Sequence, residues 1–251
     1  MVRPLLVRGM LVGAAAGLLA FVVALLLGEP QVQHAIDFEQ QLARAAGEPP
    51  DAALVSRGTQ RTIGLLTATT LMGVALGGAF ALGFAWAYGR VGALGARATA
   101  AALALGAYLT ITLVPFTKYP ANPPTVGSPD TIDRRTALFV AMIAISMLTT
   151  IAAARIRREL LERLGAWNAT TVAAGAFVAL IAAAELVLPA VQETPAAFPA
   201  DVLWHFRVAS LAIGATLWAT LGLGFGVAAE RLLAARTPRG SATGAGVAAG
   251  A

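Results

Sequence analysis

The sequence predicts an all-α membrane protein with six transmembrane helices and both termini in the cytoplasm. Of its 251 residues 58% are hydrophobic and only 12% are charged, whereas soluble domains contain about 25% charged residues. Six apolar segments are long enough to cross a hydrocarbon core, which takes about 20 helical residues. Basic residues are concentrated in the connections on one side of these segments. No polar stretch is long enough to form a separate soluble domain.

The apolar segments define the elements in order. We expect spans at about 6–27, 63–88, 98–114, 136–154, 168–188 and 208–233. The first follows Arg3 and Arg8, as a signal peptide would. It is long, however, and no small-x-small cleavage pattern follows Leu27, so we expect an uncleaved span. Residues 1–236 would form one membrane domain, and the Gly- and Ala-rich residues 237–251 a disordered cytoplasmic tail.

Charge predicts the orientation. The termini, the 89–97 turn and the 155–167 connection carry 11 Lys and Arg against three acids. The longer connections 28–62, 115–135 and 189–207 carry seven Lys and Arg against nine acids. The positive-inside rule therefore places these three connections outside the cytoplasm. The sequence pI of about 10.7 could suggest a nucleic-acid partner, but the basic residues cluster at helix ends on one side, where the positive-inside rule places them, so we expect no such partner.

The proline and arginine residues at the ends of the spans have two interpretations. Pro30, Pro115 and Pro189 follow the odd spans, and Arg135 and Arg207 precede even spans as Arg61 does. The arginines are 74 and 72 residues apart, which is compatible with three tandem helical hairpins in parallel topology. The alternative is that proline and arginine are ordinary residues at membrane interfaces. Glycines recur at small-residue spacing, notably Gly9, Gly13 and Gly17, which favours close helix packing, within the chain or in a homo-oligomer.

The first outer connection predicts a short amphipathic helix at the membrane interface. Its polar face would carry His34 and Asp37, one turn apart, followed by Gln41, with Glu39 nearby. An imidazole and a carboxylate at this spacing can approach one divalent cation together. With two ligands alone, a solvated helix face is the favoured interpretation, and further ligands would have to come from elsewhere.

The other two outer connections are rich in proline. Ser128-Pro129-Asp130 has the pattern of a helix N-terminus, and Pro199 with Asp201 has a similar one. His205 lies between Trp204 and Phe206, where aromatic packing at the interface competes with a role as a metal ligand. Glu185 is the acid inside a span, near its outer end. It could serve function, extend its carboxylate to the membrane interface, or pair with Arg207.

Catalytic motifs are absent from the sequence. Cysteine is absent, which excludes disulfides and thiolate ligands, and no nucleotide-binding or metalloprotease pattern stands in a suitable context. We therefore predict a protein that is not an enzyme and holds no cofactor.

Several long irregular strings are specific to this sequence: LVRGM at 6–10, GEPQV at 28–32, VSRGTQR at 55–61, KYPANPPTVG at 118–127, LGAWN at 164–168 and FPADVLW at 198–204. In these strings the chain resembles the CbtA family of predicted cobalt transporter subunits. The resemblance covers roughly residues 1–235. It implies an inner-membrane subunit that supplies cobalt for cobalamin synthesis, with Co²⁺ as the transported substrate. It also implies a small CbtB partner with one span and a histidine-bearing metal motif.

The outer-face residues His34, Asp37, Glu39, Glu185 and His205 are the predicted contacts for the ion. Co²⁺ accepts imidazole and carboxylate ligands and does not require thiolate. Two alternatives remain: a membrane scaffold that assembles but does not transport, and an interfacial enzyme that uses Glu185 or Asp201 as a base.

Overall fold

The structure is a computed structural model that describes residues 2–47, 55–90, 92–124 and 126–235. All regular secondary structure within these ranges is helical. Five helices are long and apolar enough to cross a membrane: α1 (Val2–Ala46), α2 (Arg57–Ala87), α3 (Ala96–Lys118), α4 (Pro129–Val187) and α5 (Ala200–Ala234). The predicted all-helical, multi-pass membrane fold is confirmed at this level. The tail predicted for 237–251 lies outside the described residues.

Helix α4 contains two of the predicted spans and is broken between them at Gly165. This residue has φ +74° and ψ 168°, a backbone region that is essentially restricted to glycine. Across the break, Nε of Arg157 donates a hydrogen bond of 2.9 Å to Oγ1 of Thr170, 13 residues away. In an unbroken helix these residues would be about 20 Å apart. The chain therefore folds back at Gly165.

The connection predicted for 155–167 is wrong in one respect, because these residues are helical on both sides of Gly165. Arg, Glu and Leu dominate this stretch, and all three are strong helix formers. The helical tendency of these residues therefore extends both halves of α4 beyond their apolar parts. The turn between them is reduced to one glycine.

Two prolines that were expected to end helices lie inside helices instead. Helix α1 runs through Pro30 to Ala46, and α3 runs through Pro115 to Lys118. Each proline follows a π-helical stretch, Ala24–Gly28 or Tyr108–Leu113. A wider turn removes the clash between the proline ring and the carbonyl group four residues earlier. The predicted amphipathic helix therefore exists, but as a rigid continuation of the first span.

The third proline behaves as predicted, since α4 ends at Val187, two residues before Pro189. The predicted helix start at Ser128-Pro129-Asp130 is also confirmed. The Ser128 hydroxyl accepts a hydrogen bond of 3.3 Å from the Asp130 amide, and Pro129 opens the first turn.

Glycines bring α1 and α2 into backbone contact. Gly9, Gly13 and Gly17 of α1 face Gly77, Gly73 and the Thr69–Thr70 backbone of α2. A Cβ atom added at any of the three α1 glycines would lie 2.1–2.4 Å from a carbonyl oxygen of α2. The predicted packing role of these glycines is confirmed, with α2 of the same chain as the partner.

The main hydrophobic core joins α1, α2, α3 and α5. Its centre is aromatic: the ring of Phe225 packs edge to face against Phe80 and Phe84, with centroids 5.5 and 5.1 Å apart. A smaller cluster of Val114, Met142 and Ile181 attaches α4 to the end of α3. The two α4 residues of this cluster lie on opposite sides of the Gly165 break.

Substitutions at two glycines of positive φ should distinguish a backbone conformation that only glycine adopts from one that asparagine also adopts. Gly165→Ala and Gly165→Asn should each destabilise the protein by about 1–3 kcal/mol, because neither residue adopts the glycine-only conformation easily. Gly47 has φ +73° and ψ 19°, the left-handed helical region that asparagine tolerates. Gly47→Asn should therefore be nearly neutral. Unfolding of the purified variants by SDS titration in mixed micelles measures both effects, and equal tolerance of asparagine at the two positions would contradict the assignment.

Candidate functional site

The face formed by the proline-rich connections contains a cavity of about 1060 Å³. The end of α3, residues 119–122, the start of α4, residues 190–194 and α5 surround it. The polar residues that line it are Thr112, Thr117, Lys118, Tyr119, Asn122, Arg135, Thr136, Gln192, Thr194, Arg207 and Ser210. Three of these side chains are cationic, and none is acidic.

The string KYPANPPTVG at 118–127 forms one wall of this cavity. Lys118 Nζ donates a hydrogen bond of 2.6 Å to the carbonyl oxygen of Glu185, and the Tyr119 hydroxyl donates one of 2.9 Å to that of Pro189. Partial burial raises the pKa of Tyr119, and the positive charge of Arg134 opposes this rise. The string is thus fixed to the C-terminal end of α4.

A guanidinium from α5 holds the middle of the same string. Arg207 Nη2 donates a hydrogen bond of 2.9 Å to Oδ1 of Asn122, and its Nε donates a longer one of 3.4 Å to the carbonyl oxygen of Ala121. Both acceptors are neutral. Prolines restrict the backbone around these acceptors, so Arg207 meets a preformed pair of oxygens.

The end of the string packs against Arg135 and Glu193. Gly127 has φ +113°, and a Cβ atom there would lie 2.3 Å from Nη1 of Arg135. Arg135 Nε lies 3.6 Å from the Glu193 carboxylate. That carboxylate accepts hydrogen bonds from the Thr131 hydroxyl (2.8 Å) and the Ser128 amide (3.0 Å). The hydrogen bond from Thr131 is the largest cause that lowers the pKa of Glu193, followed by the bond from Ser128. The positive charges of Arg135 and Arg134 lower it further.

Apolar contacts join the connections 28–62, 115–135 and 189–207 beside the cavity. Ala35, Val126, Phe198 and Val202 form a buried cluster, and the rings of Phe38 and Phe198 meet edge to face with centroids 5.2 Å apart. An ion pair also joins the two ends of the first connection: Nη2 of Arg57, at the start of α2, lies 2.5 Å from Oε2 of Glu29 in α1. The helix that carries His34 therefore packs against the helix that carries His205.

The predicted ligands of the first connection lie on exposed positions of α1. His34, Asp37 and Glu39 are all exposed. Asp37 accepts a hydrogen bond of 2.9 Å from Nε2 of Gln33. The polar face predicted for this helix therefore exists and is accessible.

The other two predicted ligands lie on different elements. His205 is exposed on α5, and its Nδ1 lies 2.8 Å from the carbonyl oxygen of Asp201. Glu185 is half-buried, with Oε1 2.5 Å from the hydroxyl of Thr117, which lines the cavity. The pairing of Glu185 with Arg207, one of the alternatives from the sequence, is wrong. Residues of α3 contact Glu185, and Arg207 binds neutral oxygens.

Among the described residues, no three His, Asp or Glu side chains come together in a group that could hold a metal ion. The assignment of the five ligands therefore stays a prediction. The cavity and its cations were not predicted from the sequence. Its one signal was that the most specific string, 118–127, contains Lys118 and ends eight residues before Arg135.

Comparison with known proteins identifies one family. The model of a family described as "Probable cobalt transporter subunit (CbtA)" matches residues 2–230. Neither a search of curated proteins nor a search of solved structures returned a match. The matched range includes all five long helices up to Glu230 of α5, and therefore the whole cavity.

Proposed function

Because the chain belongs to the CbtA family of probable cobalt transporter subunits, we propose that it is the membrane subunit of a Co²⁺ uptake system that supplies cobalamin synthesis. The observation that carries this proposal is the family match over residues 2–230, together with the multi-pass helical fold. Membership in a family of transporter subunits also implies a role that is not enzymatic.

The proposed topology has six crossings within residues 1–236. The fold-back at Gly165 supports it, since the two halves of α4, 132–164 and 166–187, are then separate spans joined by a tight turn. Each half is long enough for about 30 Å of hydrocarbon. Whether the six spans are three repeated hairpins stays a prediction.

The proposed orientation places both termini in the cytoplasm of a bacterium and the cavity at the outer face of its inner membrane. The excess of Lys and Arg at the termini, the 89–97 turn and the Gly165 turn supports it. The cavity lies at the opposite ends of the helices, where nine of the prolines that the structure describes are found. In this orientation the predicted ligands would meet an incoming ion first.

We assign the first contact with Co²⁺ to His34, Asp37, Glu39, Glu185 and His205. His34 and His205 are exposed on helices that pack together, so another subunit can approach both. The proposal gives the remaining ligands to a small, single-span, histidine-bearing CbtB partner. Weak sites formed by two chains suit transport, because an ion must also leave each site.

The test is Co²⁺ accumulation by cells that express this chain with its partner. We expect the double substitution His34→Ala with His205→Ala to reduce uptake at limiting Co²⁺ by about tenfold or more, since loss of metal-site residues commonly costs 10–100-fold. Gln40→Ala, at an exposed position of the same helix outside the face that carries His34 and Asp37, should leave uptake unchanged. Parallel assays with Ni²⁺ and Zn²⁺ determine selectivity, which ligand type alone does not predict.

Two outcomes would be distinct failures. Unchanged uptake in the double variant would remove the two histidines from the ion path and leave the transport function intact. Complex formation with the partner, without metal flux in reconstituted vesicles, would replace transport by the scaffold alternative.

A further inference from the structure

The charge of the cavity is opposite to that expected for a binding site of a bare divalent cation. Lys118, Arg135 and Arg207 line it, and among the residues that the structure describes no acidic side chain does. At an effective dielectric constant of about 20, each of these charges would repel a dication nearby by several kcal/mol. A ligand that enters this cavity should therefore carry negative charge.

The positive charges of the cavity are only partly neutralised by acidic side chains of the protein. Lys118 and Arg207 donate to neutral oxygens, and within the part of the chain that the structure describes neither forms an ion pair. Arg207 is only half-exposed, and a guanidinium has five N–H donors, of which two have acceptors. The third cation, Arg135, faces Glu193, but its buried Nε has no hydrogen-bond partner.

Nearby acids do not neutralise the cavity. Glu185 and Glu193 adjoin its wall, while Arg134 adds a further positive charge close to Glu193. Three cations line the cavity itself, whereas the carboxylates of Glu185 and Glu193 lie beside its wall and not in its lining, so the lining is positively charged. Charge-assisted hydrogen bonds from guanidinium and ammonium groups to carboxylate or phosphate oxygens are among the strongest that proteins form.

The cavity has the size and chemistry of a site for an organic ligand. Its volume of about 1060 Å³ slightly exceeds the range for small-molecule pockets, about 300–1,000 Å³. Neutral polar groups such as Gln192 and Thr136 stand beside the cations, and Phe116 and Phe139 add apolar surface. We propose that this cavity binds an oxyanion whose carboxylate or phosphate oxygens are held by Arg207, Lys118 and Arg135. The anion can be soluble or a lipid headgroup, and the inference is independent of cobalt transport.

The experiment measures citrate binding by calorimetry to the full chain in phosphatidylcholine nanodiscs, at constant ionic strength. We expect saturable binding that Arg207→Gln weakens by about tenfold or more, because a charge-assisted hydrogen bond is lost. Arg207→Lys should retain part of the affinity. Arg44→Gln removes the same charge from an exposed position on the same face, outside the cavity lining, and should leave binding unchanged. Thermal unfolding confirms that each variant is folded.

A second arm distinguishes the source of the anion. If a lipid headgroup occupies the cavity, phosphatidylglycerol nanodiscs should abolish citrate binding, and native mass spectrometry should find less retained phosphatidylglycerol on Arg207→Gln. If the ligand is soluble, citrate should bind equally in both lipids. The proposal is overturned if Arg44→Gln weakens binding as much as Arg207→Gln. It is equally overturned if neither citrate binding nor lipid retention depends on Arg207.

Discussion

Gly13→Ala should disrupt the pairing of α1 with α2, whereas Gly83→Ala, the same substitution on α2, should be tolerated. A Cβ atom at Gly13 would lie 2.1 Å from the carbonyl oxygen of Gly73 and 3.0 Å from Cα of Gly77. Both neighbours are helical backbone, so relief requires the two helices to separate. Nothing lies within 4 Å of a Cβ atom at Gly83. Overpacking usually costs 1–3 kcal/mol and occasionally more, and we expect about 3 kcal/mol at this rigid contact.

The comparison isolates packing from helix propensity. Alanine is favoured over glycine inside helices by roughly 0.5–1 kcal/mol, so propensity alone would make both variants slightly more stable. SDS-induced unfolding of the two purified variants should instead shift in opposite directions. Similar stability of Gly13→Ala and Gly83→Ala would show that the α1 and α2 backbones do not approach as closely as the structure places them.

This interface also shows how far the sequence predicts the fold. The recurrence of Gly9, Gly13 and Gly17 predicts a close helix contact, because small residues at this spacing allow it. It does not specify the partner, since a second copy of the chain would satisfy the same pattern. Only the register of Gly73 and Gly77 on α2, seen in three dimensions, assigns the contact to the same chain.

The site was harder to predict than the fold because its contacts are long-range. Lys118 reaches a carbonyl 67 residues away, and Arg207 reaches Asn122 from 85 residues away. Periodicity and helix-end signals describe neighbours in sequence, so they locate the segments but not the cavity between them. The helix ends predicted at Pro30 and Pro115 were wrong for a related reason. A π-helical turn precedes each proline and lets α1 and α3 continue through it, and the sequence did not indicate these turns.

Gly127→Ala should loosen the wall of the cavity and destabilise the protein by about 1–3 kcal/mol. The residue has φ +113°, where a side chain is strained whatever the space around it. An added Cβ would also lie 2.3 Å from Nη1 and 2.8 Å from Cζ of Arg135, and 3.0 Å from Oε2 of Glu193. Arg135 must then move, which separates its guanidinium from Val126 and Ser128, whose carbonyl oxygens it contacts at 3.5 and 3.3 Å.

A double-mutant cycle separates the backbone strain from the displacement of Arg135. Gly89→Ala introduces alanine at φ +76° with nothing within 4 Å, so it measures a strain cost without a clash. In an Arg135→Ala background, Gly127→Ala should cost mainly the strain of its own backbone conformation, because the clashing guanidinium is gone and the Glu193 oxygen at 3.0 Å is the remaining close contact. In the wild-type background it should cost clearly more, and citrate binding should weaken with it. An equal cost in both backgrounds would mean that Arg135 adapts freely, and Gly127 would then matter only for its own backbone conformation.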